Sequence, residues 1–272
     1  MRRFRCAPFA LAAFGFTSVA SAADLPAKAP VYKASPSFMA STWTGFYVGG
    51  NVGGAWSSFD PLYVPDPAFF AFSGASISAA STGAIKSSGV IAGGQFGYNW
   101  QFAPYGVFGI EADIGYTGIN KSRTVTIGGV FAGLGNFETQ TAQSRWLSTI
   151  RGRLGYAAGN LLIYGTGGFA VAELNYNDFV QLLPVATNFH SASSTTTRTG
   201  WTAGAGVEWK IAPNWSFKAE YLYVGLGDLT YVSPNNAIPA ATIQHQHNNF
   251  HEDIARLGLN YHFNNTPIVA KY

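Results

Sequence analysis

GWTAGAGVEWKIAPNWSFKAEYLYVGLGD, residues 200–228, contains two alternating segments joined by a short turn around Pro213 and Asn214. In the first segment apolar and small or polar residues occupy opposite parities, which is the period of a β-strand with two unlike faces. In the second segment Phe217, Ala219, Tyr221 and Tyr223 alternate with Ser216, Lys218 and Glu220, and Leu222 and Val224 break the polar face. The stretch therefore predicts an antiparallel hairpin.

Aromatic residues at the ends of both segments indicate which solvent the apolar face meets. Alternation alone also fits a soluble sheet, but transmembrane barrels carry belts of aromatic rings at the two membrane interfaces. We therefore predict a membrane hairpin. Extended to the whole chain, the predicted aromatic girdle comprises Trp100, Trp146, Trp201, Trp209, Trp215, Tyr221, Tyr223, Tyr261 and Phe263.

The N-terminus has the order of a secretory signal peptide. Arg2, Arg3 and Arg5 precede an apolar run over residues 7–16 and the small residues Ala20-Ser21-Ala22. We predict a signal peptide over residues 1–23, cleaved after residue 22 or 23, and a flexible periplasmic segment over residues 24–42. The only cysteine, Cys6, lies in the predicted signal, so the predicted mature chain has no disulfide chemistry.

Charge and hydropathy exclude two classes. The predicted signal contains three arginines and no acid, which leaves 16 − 3 = 13 Lys+Arg against 13 Asp+Glu in the mature chain. This balance gives no argument for nucleic acid. No stretch approaches 18 consecutive apolar residues, which excludes a helical membrane protein.

Eight alternating segments and their connections predict the fold. The segments other than the opening hairpin cover residues 43–56, 89–102, 105–116, 143–158, 161–173 and 251–263. Long connections over residues 57–88, 117–142, 174–197 and 229–250 alternate with short turns. We predict an all-β fold, an eight-stranded antiparallel up-and-down transmembrane β-barrel over residues 43–263, with periplasmic termini and a tail over residues 264–272. A soluble lipocalin also has eight such strands, but its apolar face points inward.

Several motifs resemble one family. WTGFYVGGNVGGAW, GGQFGYNWQ, GIEADIGYTG, IRGRLGYA, NWSFKAEYLYVGLG and DIARLGLNYHF resemble the small outer-membrane immunogenic proteins of alphaproteobacteria, relatives of the opacity and OmpA-type barrels. The resemblance spans about residues 43–263 and implies a porin-like outer-membrane barrel with no enzymatic site to transfer. Such barrels commonly end on an aromatic residue, whereas here NNTPIVAKY follows Phe263. Either Tyr272 serves as the assembly signal or the signal is internal.

Charged residues of the inward parity are the main candidate site. Five acids and five bases share this face: Glu111, Asp113, Glu208, Glu220 and Glu252, with Arg151, Arg153, Lys210, Lys218 and Arg256. The interior of an eight-stranded barrel is just wide enough for side chains to fill it. Two interpretations stay open, a salt-bridged structural plug and a narrow polar path that selects small ions or solutes.

Other polar residues give weaker signals. His245, His247 and His251 lie close together in a segment that we predict to be a solvated outer loop, so we expect no metal site. Paired glycines lack the context of a phosphate-binding loop. Asp228, His251 and Asp253 are expected near the outer rim, where some outer-membrane barrels carry catalytic residues. We predict no catalytic residue and no cofactor.

The sequence supports two functions. The first is an envelope barrel that passes small solutes through its charged lumen. The second is a closed barrel whose four long outer loops recognise a surface partner such as a host or a phage. The partners expected in both cases are outer-membrane lipid, lipopolysaccharide and the outer-membrane assembly machinery. The expected location is the outer membrane after export.

Overall fold

Eight antiparallel strands, each paired with its neighbours in the chain, form the molecule, and pairing of the first strand with the last closes the ring. The computed structural model describes residues 42–129, 132–182 and 189–263. The strands are β1 Gly45–Pro65, β2 Ile85–Gln101, β3 Gly106–Thr126, β4 Phe137–Ala158, β5 Leu161–Gln181, β6 Phe189–Ala212, β7 Trp215–Pro234 and β8 Thr242–His262. The helices are α1 Pro67–Phe70 and α2 Gly74–Ser81. The predicted fold class is confirmed.

Three tight turns lie at one end of the barrel, which we call the turn end. They occupy residues 102–105, 159–160 and 213–214. Gly159 has φ +60° with open space around it, a conformation that favours glycine. The predicted signal, most of the segment over residues 24–42 and the tail over residues 264–272 lie outside the described residues.

The outward face of the sheet is apolar through a continuous band. Phe46, Val48 and Val52 on β1 are 45–60% exposed, whereas Tyr47 between them is 1% exposed. The band runs from aromatic residues at the turn end to a second ring that includes Trp56, Tyr116 and Trp201, with Trp146 and Tyr223 at the same level. In the described part of the chain, no helix has the length and hydropathy needed to span a membrane.

The strands continue well beyond the second aromatic ring. They are 17 to 24 residues long, against roughly 9 to 11 for a strand that just crosses hydrocarbon. We call the part beyond the ring the extension. The bounds of the four predicted long connections are therefore wrong, because the strands extend into each of them from both sides. The connections that remain cover residues 66–84, 127–136, 182–188 and 235–241.

Irregular pairing marks where the extension begins. The register shifts at Ser58/Asp60 between β1 and β8, at Tyr116/Ile119 between β3 and β4, and at Ser144/Leu147 between β4 and β5. On β7 and β8 the shift involves Gly227, with φ +74°, and Asn249, with φ +55°. An extra residue at a bulge exchanges the two faces of a strand. On β4 the buried side chains accordingly have even residue numbers up to Ser144 and odd residue numbers from Leu147 onward.

Helix α2 stands where β2 would otherwise continue. Asp66 caps α1 through its carboxylate, which accepts the Ala68 amide at 2.9 Å. The Ser78 hydroxyl donates to the Tyr63 carbonyl at 2.7 Å, and the Tyr63 amide donates to Ser81 Oγ at 2.9 Å. These bonds attach α2 to β1 and bury Ile77 beneath the helix.

The interior is filled in layers. Trp43, Val107, Ala157, Leu162 and Tyr164 close the turn end. Charged residues lie above them, followed by an apolar layer at the level of the second aromatic ring. A further apolar cluster under α2 covers the far end, with Tyr63, Phe70, Ile77, Ala80, Ile127, Val180, Leu182, Ala241 and Ile243.

Candidate functional site

Arg151 is the centre of the charged layer. Its Nη2 lies 2.5 Å from Glu111 Oε1 and 2.8 Å from Asp113 Oδ2, and its Nη1 lies 3.1 Å from Glu220 Oε1. The Arg151 side chain is 0% exposed. A guanidinium has five donors in a fixed fork, so it can hold several carboxylates in one geometry.

Three further cations complete the network. Lys218 Nζ lies 2.9 Å from Glu111 Oε1, and Arg153 Nη1 lies 3.0 Å from Glu208 Oε2. Arg256 Nη2 lies 2.7 Å from Glu220 Oε2 and 3.0 Å from Asp113 Oδ2. Four acids thus face four bases. We call these eight residues the ion-pair network: Glu111, Asp113, Arg151, Arg153, Glu208, Lys218, Glu220 and Arg256. Their side chains are 0–3% exposed.

Neutral groups occupy the remaining acceptor positions of the carboxylates. Tyr47 donates to Glu111 at 2.7 Å, Tyr164 donates to Glu220 at 2.9 Å, and Ser216 donates to Glu208 at 2.5 Å. Asn99 on β2 accepts from Arg153 Nε at 2.7 Å. All eight strands therefore contribute to this layer. Charges buried so fully persist because each has its partners, and their removal one at a time is costly.

Two predicted members lie apart from the network. Lys210 is buried near the turn end, where its Nζ donates to the Thr42 carbonyl at 2.5 Å and lies 4.8 Å from the centre of the Trp43 ring. Glu252 is buried on β8 opposite Ser57 and Val224, at the level of the apolar layer. The structure thus buries all ten predicted side chains and brings eight of them together.

The apolar layer above the network was missed by the sequence reasoning. Leu222, Val224 and Ile254 are 0% exposed there and point inward, like the charged residues before them. The signal was present, since Leu222 and Val224 interrupt the polar face of their segment. The layer is mostly apolar, with the buried Glu252 at the same level.

The extension contains a polar cluster that the sequence reasoning also missed. Asp178 Oδ2 lies 3.2 Å from His245 Nδ1 and 3.3 Å from His247 Nε2, and Tyr231 donates a hydrogen bond to the same oxygen. Burial opposes ionisation of Asp178, but hydrogen bonds from the two histidines hold its pKa below the ordinary value. Ser233 Oγ lies 2.6 Å from His245 Nε2.

The expected solvated histidine loop is therefore wrong. His245 and His247 are each 1% exposed and belong to β8, as does the partly buried His251. The reason is the bulge at Asn249, which lets β8 continue past the membrane band. Among the described residues, no group of three or more His, Cys, Asp or Glu side chains is arranged to hold a metal ion.

Glu138 is a second buried acid of the extension. It is 0% exposed, and its Oε1 accepts from Gln140 Nε2 at 3.0 Å. Burial raises the pKa of Glu138 to about 8, although the positive charge of Arg123 acts in the opposite direction. Glu138 is therefore mostly protonated at neutral pH.

The rim residues have separate contacts. Asp228 accepts the Asn249 amide at 2.7 Å, Asp253 accepts the Tyr221 hydroxyl at 2.5 Å, and the His251 ring stacks on Tyr223 at 5.5 Å. Asp228 thus supports the bulge, and Asp253 and His251 contact tyrosines of the aromatic ring.

The predicted girdle residues point outward in two groups. Trp100, Trp209, Trp215, Tyr261 and Phe263 lie toward the turn end, and Trp146, Trp201, Tyr221 and Tyr223 lie toward the extension. Trp201 packs on Tyr223 with ring centres 5.2 Å apart, and Trp215 packs on Tyr261 at the same distance. Trp56 and Tyr116, 49% and 67% exposed, belong to the second ring and were missed.

A closed ring of eight antiparallel strands, with an apolar outside between two aromatic rings and a polar inside, defines a transmembrane β-barrel of the outer-membrane type. Residues 9–263 match the model of the outer membrane protein beta-barrel domain, and the chain belongs to that family.

Named relatives agree with this assignment. The chain is similar to the 31 kDa outer-membrane immunogenic protein of Brucella melitensis biotype 1, with 35% identity over 91% of this chain and 95% of the relative. It is also similar to the 22 kDa outer membrane protein of Rhizobium leguminosarum bv. viciae, with 29% identity over 68% and 64% of the two chains. Among solved structures, the outer membrane protein OprG from Pseudomonas aeruginosa matches with 14% identity and a TM-score of 0.47, over 81% of this chain and 97% of that one. The protein is an outer-membrane β-barrel, as the sequence predicts.

Proposed function

We propose that this protein is a non-conducting scaffold of the outer membrane that holds a folded extension at the cell surface. The observation that carries the proposal is the filled lumen, in which the ion-pair network has side chains 0–3% exposed. The apolar layer above it supports the same function. A solute would have to break paired charges and then cross apolar contacts.

The closed lumen favours the second of the two functions expected from the sequence, with one change. The surface is built from extended strands and α2, where the sequence predicted four long loops. The Brucella relative is called immunogenic, which supports exposure of the extension to the outside. In this orientation the turn end and both termini are periplasmic. The apolar band contacts lipid, and the extension meets lipopolysaccharide. Export by a signal peptide and insertion by the assembly machinery stay predictions.

Single-channel recording tests the closed lumen. The refolded mature protein is placed in a planar bilayer after heat-dependent gel mobility has shown that it is folded. We expect a silent membrane. The control is Arg151 and Arg153 replaced together by serine, which shortens two side chains of the network. Steady conductance steps from the wild-type protein, with an ion selectivity that is altered in the variant, would show a narrow porin and overturn the proposal.

A further inference from the structure

The sheet of the extension is open along one seam. β2 and β3 pair from Ile91↔Thr117 to Gln101↔Val107, and no pairing between them continues above that point. Beyond it, β2 pairs only with β1, as far as Phe59↔Ile85, and β3 pairs only with β4, over Ile119–Thr126. At Gly118 and Ile119 the main chain of β2 around Gly89 still lies against β3. One edge of β3 over residues 120–126 therefore has no strand partner in the described structure.

Helix α2 covers this seam only in part. Its inner side packs into the extension through Ile77 and Ala80. A groove of about 520 Å³ remains between the outer side of α2 and the free edge of β3. Its lining comprises Ala75, Ser76, Ala79, Ala80, Arg123, Val125, Thr126, Gly128 and Gly129. Mostly small residues line it, so a main chain can approach both walls.

Charge at the seam is positive. Arg123 reaches across it and donates to the carbonyl oxygens of Gly83 at 3.0 Å and Thr82 at 3.2 Å. Lys121 is exposed two residues earlier on β3, and Lys86 is exposed on β2 beside the open part of the ladder. Residues 74–90 and 118–129 contain no acid. On β4, Glu138 lies opposite Val125, and its raised pKa of about 8 leaves it mostly neutral.

We propose that the groove between α2 and β3 docks an extended acidic polypeptide, which adds to the free edge of β3 as a further strand. An unpaired edge presents a row of main-chain donors and acceptors, and a groove beside such an edge is one of the recurrent ways in which proteins hold peptides. Lys121, Arg123 and Lys86 select acidic side chains by complementary charge. The inference depends on the proposed function only in placing the groove outside the cell.

The test uses the refolded full-length protein in detergent micelles and a fluorescein-labelled peptide of about ten residues with alternating glutamate and threonine. We expect saturable binding by fluorescence anisotropy. Hydrogen exchange followed by mass spectrometry should show new protection at residues 120–126. A peptide with two threonines replaced by proline keeps the charge but loses main-chain donors, and should bind much more weakly. A lysine version should not bind.

Two charge reversals form a matched pair. Lys121→Glu changes the seam, and Arg145→Glu makes the same change at an exposed site on the neighbouring strand β4. We expect Lys121→Glu to weaken binding about three- to tenfold, and Arg145→Glu to leave it within about twofold. Absence of binding, equal binding of the proline peptide, or protection elsewhere would overturn the proposal. Protection of residues 120–126 that depends on protein concentration without peptide would assign the edge to a second copy instead.

The closed lumen and the peptide-docking site can be contradicted independently of each other. A barrel that conducts ions but binds the peptide at residues 120–126 contradicts the closed lumen alone. A silent barrel that ignores the peptide contradicts the docking site alone.

Discussion

Individual residues show that charge is tolerated in this interior because it is paired. Arg153 illustrates the arrangement, since it contacts Glu208 at 3.0 Å and lies 4.7 Å from the centre of the Tyr47 ring. Its loss would remove the nearest cation of Glu208 and leave Ser216, Asn260 and His262 as the described side chains in direct polar contact with that carboxylate. A buried charge is therefore tolerated here when it has a partner, and this holds for acids and bases alike.

Arg153→Met is expected to destabilise the barrel by about 3–5 kcal/mol, because it leaves a buried carboxylate without its main cation. The double variant Arg153→Met with Glu208→Gln keeps the network neutral. It should recover roughly 1–3 kcal/mol of that loss. Urea unfolding in micelles, followed by tryptophan fluorescence, measures Arg153→Met, the single variant Glu208→Gln and the double variant. A double variant whose loss equals the sum of the two single losses would show that the pair is not coupled.

Ionisation of Glu138 makes the stability of the extension depend on pH, in a direction that follows from its raised pKa. Its folded pKa of about 8 exceeds the ordinary value of roughly 4.3 expected in the unfolded chain. The folded state holds more protons between these values, so its stability is highest at low pH. Stability falls as pH rises toward 8, by at most about 1.4 kcal/mol per pH unit. Asp178, with a lowered pKa, stays ionised over this range and adds no slope.

Glu138→Gln should remove this contribution. Thermal unfolding midpoints of the wild type and the variant, compared at about pH 5.5 and pH 8, are expected to differ more at the higher pH, with Glu138→Gln the more stable there. All other ionisable groups are the same in the two proteins and cancel in the comparison. A constant difference at both pH values would mean that Glu138 is ionised throughout.

At the scale of elements, α2 substitutes for a missing stretch of strand. β2 has 17 residues while its neighbours β1 and β3 each have 21. The helix fills the space by hydrogen bonds to Tyr63 and by burial of Ile77. The extension should therefore open locally when α2 is released, while the membrane part stays closed.

Ile77→Asp tests this local attachment, because it places an unpaired charge among buried apolar residues. We expect cleavage within residues 66–84 by proteinase K to become at least about tenfold faster, with unchanged heat-dependent gel mobility of the barrel. Phe72→Ser is the control, since Phe72 is 94% exposed. Loss of gel mobility in Ile77→Asp would instead show that α2 supports the whole barrel.

Sequence alternation predicted the membrane part of the strands and failed at the bulges. The inward placement of Tyr47 and Asn51 and the outward placement of Phe46 and Val52 follow from the two-residue period alone. Beyond Ser144 on β4 and Asn249 on β8 the parity reverses, so the pattern no longer continues and the extension resembles loop. The cluster of Asp178 with His245 and His247 could not be found, because it joins three residues from two segments assigned to connections.

The whole molecule has two unlike ends. One consists of three tight turns, and the other carries the extension with α1 and α2. An up-and-down barrel places its short turns in the periplasm and its longer parts outside. At about 3.4 Å per residue and a tilt of roughly 40°, nine residues of β4 beyond Trp146 raise the extension about 23 Å above the aromatic ring.

Cysteine labelling on intact cells checks this orientation. The only native cysteine is Cys6, so single cysteines can be placed at will. Phe72→Cys lies at the exposed tip, and Ala103→Cys lies in the exposed turn between β2 and β3. A membrane-impermeant maleimide should label Phe72→Cys on intact cells, and Ala103→Cys only after lysis. The reverse labelling pattern would show that the barrel has the opposite orientation in the membrane.

Participation of all eight strands in one buried layer affects the order of assembly. Tyr47 on β1 reaches Glu111 on β3, and Arg256 on β8 reaches Asp113, so the layer is complete only when the two chain-distant strands meet. Until then its carboxylates and guanidinium groups are still hydrated, because open strands leave them in contact with water. Joining β1 to β8 is thus also the step that expels the interior solvent. Water must therefore leave the interior of the nascent barrel while β1 and β8 pair.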